Sequence, residues 1–246
     1  MNLKDNVALI TGAGRGIGRG IAKVLAARGM RLALNYRRND TAASQTLQAV
    51  ASLGAEAMLI RADVQDEEQV GAMLASVKAR YGRLDVLVNN AGVDSAYRPE
   101  DLSLQEWNRI VGVNLTGAFL CSRGALGLMR EQHRGRIIMI SSIAGLRGTG
   151  NVHYVASKAG MLGLTMALAR ATAGSGITVN AVAPGLTRSD MLFESQPQIE
   201  QRLQAEVPLG RLAEPEEIGE TVAFLAQHDY ITGEIVNVSG GRYMGL

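Results

Sequence analysis

Residues 7–18 read Val7-Ala8-Leu9-Ile10-Thr11-Gly12-Ala13-Gly14-Arg15-Gly16-Ile17-Gly18. The four apolar residues predict a buried strand, and the glycines predict a tight turn that opens a helix. Such a turn lets the backbone approach a pyrophosphate, whose charge then lies at the helix N-terminus. A glycine-rich turn without a ligand is the alternative, disfavoured because strand, turn and helix follow in the expected order. The predicted dinucleotide contacts here are Gly12, Arg15, Gly16, Ile17 and Gly18.

Apolar runs alternate with helix-period segments along the rest of the chain. Strands are predicted at 7–10, 32–35, 57–60, 84–89, 137–141, 178–182 and 234–238, and helices at 16–28, 41–53, 67–81, 104–132, 152–173 and 215–227. This alternation predicts an α/β fold, a doubly wound Rossmann domain with a seven-stranded, mostly parallel sheet and helices on both faces. We expect a single domain over 1–246, with a polar, partly helical insertion near 187–208 as a candidate lid on the substrate side.

Composition argues against several classes of protein. A net charge of +2, with no basic run, gives no case for nucleic-acid binding. The N-terminus lacks the form of a signal peptide, and the longest uncharged apolar-rich stretch, 110–122, is too short to span a membrane. The single cysteine, Cys121, excludes an intrachain disulfide. We expect a cytoplasmic protein without a membrane, nucleic-acid or metal partner.

Tyr154 and Lys158 have the spacing of two side chains on one helical face, one turn apart. A phenol with a pKa near ~10 exchanges protons poorly at neutral pH. A fixed cation beside it favours the phenolate and is expected to lower the pKa of Tyr154. Ser142 follows a predicted strand, at the sheet edge where ligands of open α/β sheets bind. His153 is expected at a pocket rim or on the surface rather than as a general base.

The spacing of Gly12, Gly16 and Gly18 resembles the Thr-Gly-x-x-x-Gly-x-Gly turn of the short-chain dehydrogenase/reductase family. The resemblance covers nearly the whole chain, and each further motif falls where the family has it. These motifs are Asp63-Val64, Asn89-Asn90-Ala91-Gly92, Val113-Asn114-Leu115-Thr116-Gly117, Ser142-Ile143-Ala144-Gly145, Tyr154-Val155-Ala156-Ser157-Lys158 and Pro184-Gly185. Each motif is weak alone, and their order makes the set specific.

The resemblance implies a catalytic tetrad of Asn114, Ser142, Tyr154 and Lys158. Hydride would pass between a nicotinamide and a carbonyl carbon while Tyr154 delivers a proton to the carbonyl oxygen. Ser142 would orient that oxygen, Lys158 would bind the nicotinamide ribose, and Asn114 would anchor a water that passes protons toward Lys158. The further cofactor contacts implied are Asp63, Val64, Asn90, Ala91, Gly92, Tyr154, Lys158, Pro184, Gly185, Thr187 and Ser189.

The end of the second strand indicates which nicotinamide cofactor binds. An NAD site has an acidic side chain there for the ribose 2′-hydroxyl, but this position falls on Tyr36. Arg37 and Arg38 follow, and guanidinium groups bind a 2′-phosphate that a carboxylate would repel. NADP (NADPH) is therefore favoured. Alternatively the arginines are merely solvated and Asp40 turns to the ribose, although Asp40 fits better as the cap of the helix predicted from 41.

Within the family, the chain is most similar to the 3-oxoacyl carrier-protein reductase group. The similarity rests on segments 135–138, 176–180, 183–185 and 239–241. That group tends to carry a basic residue before 176, usable for docking the acidic carrier; Ser175 stands there, which weakens a carrier protein as partner.

The resemblance implies NADPH-dependent reduction of a ketone to a secondary alcohol, by a homotetramer. Dehydrogenation of a sugar, a steroid or another secondary alcohol stays open. A non-catalytic nucleotide sensor also stays open, although such a protein would be expected to lack Tyr154 or Lys158. Substrate contacts are expected from 93–98, 145–151 and 187–208.

Overall fold

The computed structural model describes residues 1–189 and 200–245. The strands are β1 Val7–Ile10, β2 Arg31–Tyr36, β3 Ala57–Arg61, β4 Val86–Asn89, β5 Gly135–Ile140, β6 Ile177–Pro184 and β7 Ile235–Val238. The α-helices are α1 Gly16–Ala27, α2 Asp40–Ala51, α3 Glu67–Tyr81, α4 Leu104–Val111, α5 Gly117–Glu131, α6 Ile143–Arg147, α7 Val152–Thr172, α8 Glu200–Ala205 and α9 Pro215–Gln227. Short 3₁₀ turns occupy Pro99–Asp101 and Ala173–Ser175.

The seven strands form one sheet in the order β3-β2-β1-β4-β5-β6-β7, and all six neighbouring pairs are parallel. From β1 the strand order runs outward to β2 and β3 on one side and to β4 through β7 on the other, so the topological switch point lies between β1 and β4. Loops leaving the carboxyl ends of these two strands diverge, which opens a crevice at this switch point. The predicted doubly wound α/β fold is confirmed.

Two apolar cores lie on the two faces of the sheet. One packs α3, α5 and α7 against it, and the other packs α1, α2 and α9. Successive strand residues point to opposite faces, so Leu9 belongs to the first core and Ile10 to the second. Every residue of β1 is therefore buried, which explains why the strand is a continuous apolar run.

The helix predicted as one piece over 104–132 contains a π-helical turn at Gly112–Thr116, between α4 and α5. By length and composition alone, this 28-residue stretch, Leu104–Glu131, is the one helix among residues 1–189 and 200–245 that could cross a membrane. From the sequence, the longest uncharged apolar-rich stretch was 110–122, which is too short to span a membrane. Half of the helix's most apolar window is buried, and Val113, Leu120 and Cys121 belong to the first core. It therefore packs as a core helix.

The start of α2 differs from the prediction. Asn39 is the N-cap and its side chain accepts the Ala42 N–H at 2.9 Å, so the expectation that Asp40 caps this helix is wrong. Asp40 is the first helical residue, and it accepts the Tyr36 hydroxyl at 2.8 Å. An amide and a carboxylate cap equally well, so the local sequence does not distinguish them.

The predicted insertion at 187–208 is described only at its two ends. Thr187 pairs with Ala213 in an isolated parallel bridge, and α8 precedes a turn at Val207 to Gly210. Residues 190–199 lie outside the described part of the chain, and so does Leu246. The assignment of the insertion as a lid stays a prediction.

The turn after β1 needs glycine for two different reasons. Gly12 and Gly16 have φ values of +63° and +51°, in the left-handed region that L side chains rarely adopt. At Gly18 the obstacle is space, because an added Cβ would lie 2.3 Å from the carbonyl oxygen of Gly12 and 2.6 Å from Nδ2 of Asn90. The turn therefore packs backbone against backbone.

Gly18→Ala is expected to lower the free energy of unfolding by about 1–3 kcal/mol, because the new methyl group must displace backbone. Gly71→Ala is the matched control, since Gly71 is exposed inside α3 and an added Cβ meets nothing within 4 Å. In this control the free energy of unfolding should rise by about 0.5–1 kcal/mol, because alanine favours a helix over glycine. Urea unfolding of both variants measures the difference, and a Gly18→Ala protein as stable as wild type would contradict the packing described.

Candidate active site

The turns that follow β1 and β4 are joined by side-chain hydrogen bonds. The buried hydroxyl of Thr11 accepts the backbone N–H groups of Asn90 and Ala91, each at 3.0 Å. In return, the Asn90 amide donates to the carbonyl oxygens of Thr11 at 2.9 Å and Gly12 at 3.1 Å. The two sides of the crevice therefore form one rigid edge.

A cavity of about 500 Å³ opens beside this edge, a size typical of ligand sites. One end is formed by the glycine turn and by residues that follow β2, and the other end reaches the first half of α7. Its lining is Gly12, Gly14, Arg15, Gly16, Ile17, Gly18, Tyr36, Arg37, Arg38, Asn39, Ala42, Asn90, Ala91, Gly92, Val93, Arg109, Ile140, Ser141, Tyr154, Lys158 and Ser189. The predicted glycine turn and the predicted Tyr154–Lys158 pair thus share one cavity.

Ser142 lies beside Tyr154 because α6 packs closely on α7. An added Cβ at Gly145 would lie 2.7 Å from the Ala159 backbone nitrogen, so only glycine allows this approach. Ser142 is the N-cap of α6, where its hydroxyl accepts the Ala144 N–H at 3.1 Å, and it acts to lower the pKa of the Tyr154 phenol. The hydroxyl of Ser141 instead donates to the Lys158 carbonyl oxygen at 2.8 Å and is buried. Ser141 lines the cavity and Ser142 does not, so the choice of Ser142 over Ser141 stays a prediction.

The electrostatics of the pair differ from the prediction. Burial raises the pKa of Tyr154 to about 12, although the hydrogen bond with Ser142 acts to lower it. Burial also lowers the pKa of Lys158 to about 8, against an opposing effect of Asp94. Lys158 Nζ lies 5.7 Å from the Tyr154 ring centroid and donates to the Ile140 carbonyl oxygen at 2.7 Å. The expectation that Lys158 lowers the Tyr154 pKa is wrong for this form of the protein, because loss of solvent raises this pKa and Lys158 is not among the groups that lower it.

Asn114 lies in the π-helical turn and is completely buried. Its Oδ1 accepts the Val93 N–H at 2.8 Å, while its Nδ2 donates to the Val93 carbonyl oxygen at 2.9 Å and to Ser157 Oγ at 3.0 Å. The side chain therefore fixes the segment after β4 against α7. No hydrogen bond joins Asn114 to Lys158 among the residues described, and a water between them stays a prediction.

The residues after β2 have unequal freedom to bind a ligand. Arg37 Nε forms an ion pair with Asp63 Oδ2 at 2.8 Å. Arg38 is exposed at the cavity and has no ion pair within the described parts of the chain. Asp63 and Val64 do not line the cavity, and Val64 is buried against Gly117, where an added Cβ would lie 2.7 Å from Val64 Cγ2.

Among residues 185–189, the described part of the loop after β6, Ser189 is the one that lines the cavity. Pro184 ends β6, and Gly185 packs so closely on Ser239 that an added Cβ would lie 2.8 Å from its Cα. Thr187 is buried, and its hydroxyl donates to the Gly185 carbonyl oxygen at 3.3 Å. These residues support the loop, and Ser189 packs near Gly16, where an added Cβ would lie 3.2 Å from Ser189 Cβ.

Several residues near the site were not anticipated. Thr11 was quoted only as the first residue of the glycine turn, and Arg109 belongs to no quoted motif; a signal for the role of Thr11 is its place directly after β1 at the switch point. His153 is fully buried, so its expected place at a rim or on the surface is wrong. The segment from Asp94 to Tyr97 covers it, a tertiary contact that helical periodicity cannot show.

Known proteins resemble this chain over almost its full length. A family model described as Enoyl-(Acyl carrier protein) reductase matches residues 12–242. The 3-oxoacyl-[acyl-carrier-protein] reductase FabG of Staphylococcus aureus is 42% identical over 240 residues, covering 96% of this chain and 98% of that protein. A crystal structure of a short-chain type dehydrogenase/reductase from Mycobacterium marinum has a TM-score of 0.93 at 34% identity, covering 99% of this chain and 98% of that one.

This chain belongs to the short-chain dehydrogenase/reductase family. The structure of levodione reductase is similar as well, with a TM-score of 0.92 at 36% identity and coverage of 97% of this chain and 98% of that one. Membership makes the protein an oxidoreductase that uses a nicotinamide cofactor. Its glycine turn fits that dinucleotide, because Gly12, Gly14, Gly16 and Gly18 line the cavity where α1 begins. No group of His, Cys, Asp or Glu suited to a metal ion occurs in residues 1–189 or 200–245.

Lys158 makes the stability of the cofactor-free protein depend on pH. Its pKa in the folded state, about 8, lies below the ordinary lysine value of 10.5, so between these values the unfolded chain binds more protons. Stability therefore rises with pH in that interval, by at most about 1.4 kcal/mol per pH unit.

Lys158→Met should lack this increase. Urea unfolding of both proteins between pH 8 and pH 10 tests the prediction, since above pH 10 ionisation of Tyr154 in the unfolded chain acts in the opposite direction. Equal pH slopes for wild type and variant would show that the Lys158 ammonium is not held at a lowered pKa.

Proposed function

We propose that this protein is an NADPH-dependent ketoreductase that reduces a 3-oxoacyl thioester to the corresponding secondary alcohol. The observation that carries the proposal is the shared cavity, which brings the glycine turn to the same space as Tyr154 and Lys158. A nucleotide sensor needs only the turn. The half-buried tyrosine and the buried lysine, with the serine beside them, serve proton transfer and have no role in such a sensor.

The proton state of Tyr154 suits reduction of a ketone. With a pKa raised to about 12, the phenol keeps its proton at neutral pH until a stronger base forms beside it. Hydride delivered by the reduced nicotinamide turns the carbonyl oxygen into such a base. Tyr154 then gives its proton to that oxygen, while the Ser142 hydroxyl orients it by a hydrogen bond.

Lys158 and Asn114 act on the groups around the reacting atoms. Lys158 Nζ lies near Gly92, where an added Cβ would be 3.5 Å away, so the ammonium borders the crevice at its deep end. There it would donate to the ribose hydroxyls next to the nicotinamide. Asn114 holds the turn that carries Gly92 and Val93, and so keeps this wall of the site in place.

The cofactor contacts proposed from the sequence fall into two groups. Gly12, Arg15, Gly16, Ile17, Gly18, Asn90, Ala91, Gly92 and Ser189 border the cavity and would touch the dinucleotide. Asp63, Val64, Pro184, Gly185 and Thr187 are proposed to act at its margin, through Arg37 or through the loop that carries Ser189. Selection of NADPH is assigned chiefly to Arg38. The guanidinium of Arg37 already pairs with the Asp63 carboxylate, which offsets part of the positive charge that a 2′-phosphate would meet there.

The substrate class rests on the resemblance to carrier-protein reductases such as the S. aureus protein. A carrier protein as partner is supported by that likeness and weakened by Ser175, which is uncharged. A small cyclic ketone is the second candidate, favoured by the similarity to levodione reductase. Dehydrogenation of a sugar, a steroid or another alcohol is a lesser alternative. A homotetramer, a cytoplasmic location and a lid at 187–208 remain proposals by analogy.

The reductase is expected to consume NADPH with a 3-oxoacyl thioester, measured by loss of NADPH absorbance. Tyr154→Phe should keep its affinity for NADPH and lose most turnover, by about 100-fold or more, because the proton donor is gone. Turnover of the same acyl group on a carrier protein and on a short thiol shows whether the carrier is recognised. Turnover of a panel of cyclic diketones and sugars tests the other substrate classes. Binding of NADPH without turnover on any of these compounds would favour the sensor.

Arg38→Ala should raise KM for NADPH by about tenfold or more and leave KM for NADH unchanged, since only NADPH carries the 2′-phosphate. Arg80→Ala is the control, because Arg80 is an exposed arginine paired with Glu56, and it does not line the cavity. Steady-state kinetics with both cofactors measure the ratio. An equal change for NADH and NADPH would assign the phosphate to another residue.

A further inference from the structure

His153 is a buried histidine that the reaction described above does not use. It is fully buried beside Tyr154, and each ring nitrogen has one partner. Nδ1 accepts the backbone N–H of Tyr154 at 3.0 Å, and Nε2 lies 3.0 Å from the Ser95 hydroxyl oxygen. The ring edge also meets the Tyr97 ring, with centroids 6.4 Å apart.

The neighbours of His153 determine its tautomer. The Ser95 hydroxyl donates its hydrogen to Glu106, a carboxylate that Arg109 binds through two hydrogen bonds of 2.7 Å. Arg109 and Ser95 hold the pKa of Glu106 down at about 2, so Glu106 is an acceptor only. The Ser95 oxygen is then left to accept, and Nε2 of His153 must carry the hydrogen. Nδ1 is consequently free of hydrogen, which its bond with the Tyr154 N–H requires.

The N-terminus of α7 lacks its ordinary cap. Asn151 is the N-cap residue, but its side chain makes no capping bond and donates instead to both carboxylate oxygens of Asp94, at 3.1 and 3.0 Å. The first N–H groups of a helix have no partner within the helix. At Tyr154 the acceptor is the imidazole of the preceding residue, so the backbone that carries the phenol is held by His153.

We propose that His153 is a positioning residue for Tyr154, fixing the first turn of α7 through its Nδ1. Ser95 and Glu106 keep the imidazole in the tautomer that can do this. The same bonds tie the segment 94–97, where substrate contacts are expected, to the helix that carries the proton donor. Movement of that segment is thereby coupled to the aim of the phenol. This inference rests on the proposed role of Tyr154.

Two substitutions distinguish the role of Nδ1 from that of the whole imidazole ring. The Oδ1 of asparagine occupies the place of Nδ1, so His153→Asn keeps the acceptor for the Tyr154 N–H, whereas His153→Phe keeps the ring shape and removes both bonds. His153→Phe is expected to lower kcat about tenfold or more with little change in KM for NADPH, because misplacement affects the chemical step. His153→Asn should recover most of the loss. Ser95→Ala should give an intermediate kcat.

Tyr81→Phe is the control for a lost buried hydrogen bond, since the Tyr81 hydroxyl donates to the Leu32 carbonyl oxygen at the far edge of the sheet. It should lose stability and keep wild-type kcat. Wild-type kcat in His153→Phe would overturn the proposal, and so would a His153→Asn variant as slow as His153→Phe at equal stability. If His153→Phe does not fold, Ser95→Ala and His153→Asn carry the same comparison.

An ultraviolet titration of the phenol, with Tyr154→Phe as the blank, gives a readout that needs no substrate. A change in the Tyr154 titration midpoint in His153→Phe that His153→Asn reverses supports the positioning role even if wild type reduces none of the compounds tested. If wild type reduces none of these compounds, only the proposed function is overturned. An unchanged midpoint together with unchanged turnover would overturn only the role of His153.

Discussion

The hydrogen bonds between the turns after β1 and β4 are the constraint on which the site depends. Parallel strands that leave the sheet at a switch point diverge, and a crevice between two independent loops would have no fixed width. The Thr11 hydroxyl and the Asn90 amide fix the distance between the two turns, because each forms hydrogen bonds with backbone groups of the opposite turn. Because Gly12 and Gly18 have no side chains, the two turns come close enough for these side chain–backbone bonds to form. The cavity and the reach of α7 into it follow from this geometry.

At the other end of the cavity, burial is the dominant physical effect. It raises the pKa of Tyr154 and lowers that of Lys158, because burial disfavours the charged form of each group in the cofactor-free protein. A neutral phenol is the form that can donate a proton to a developing alkoxide. An ammonium held at a lowered pKa is destabilised until anionic or hydroxyl partners bind beside it. The site is thus arranged for a ligand rather than for maximal stability.

Much of the fold could be predicted because each parallel strand is buried on both faces and reads as a short apolar run. The seven strands, the long helices and the single sheet follow from that pattern, with shifts of a few residues at the ends. The π-helical turn at Gly112–Thr116 could not be predicted, since it depends on the bonds between Asn114 and Val93, far apart in sequence. The capping of α2 by Asn39 was missed because neighbouring residues were equally suited to it.

The sequence by itself determined the family and the sheet and predicted which side chains react, because motif order and strand ends are properties of the chain. Only the tertiary structure decided how those side chains are charged and aimed. The pKa of Tyr154 depends on how much solvent the fold removes, and helical spacing to Lys158 carries no information about that. His153 is buried and meets Ser95 and Tyr97 of the segment after β4, and this contact between elements holds the ring whose Nδ1 accepts the Tyr154 N–H.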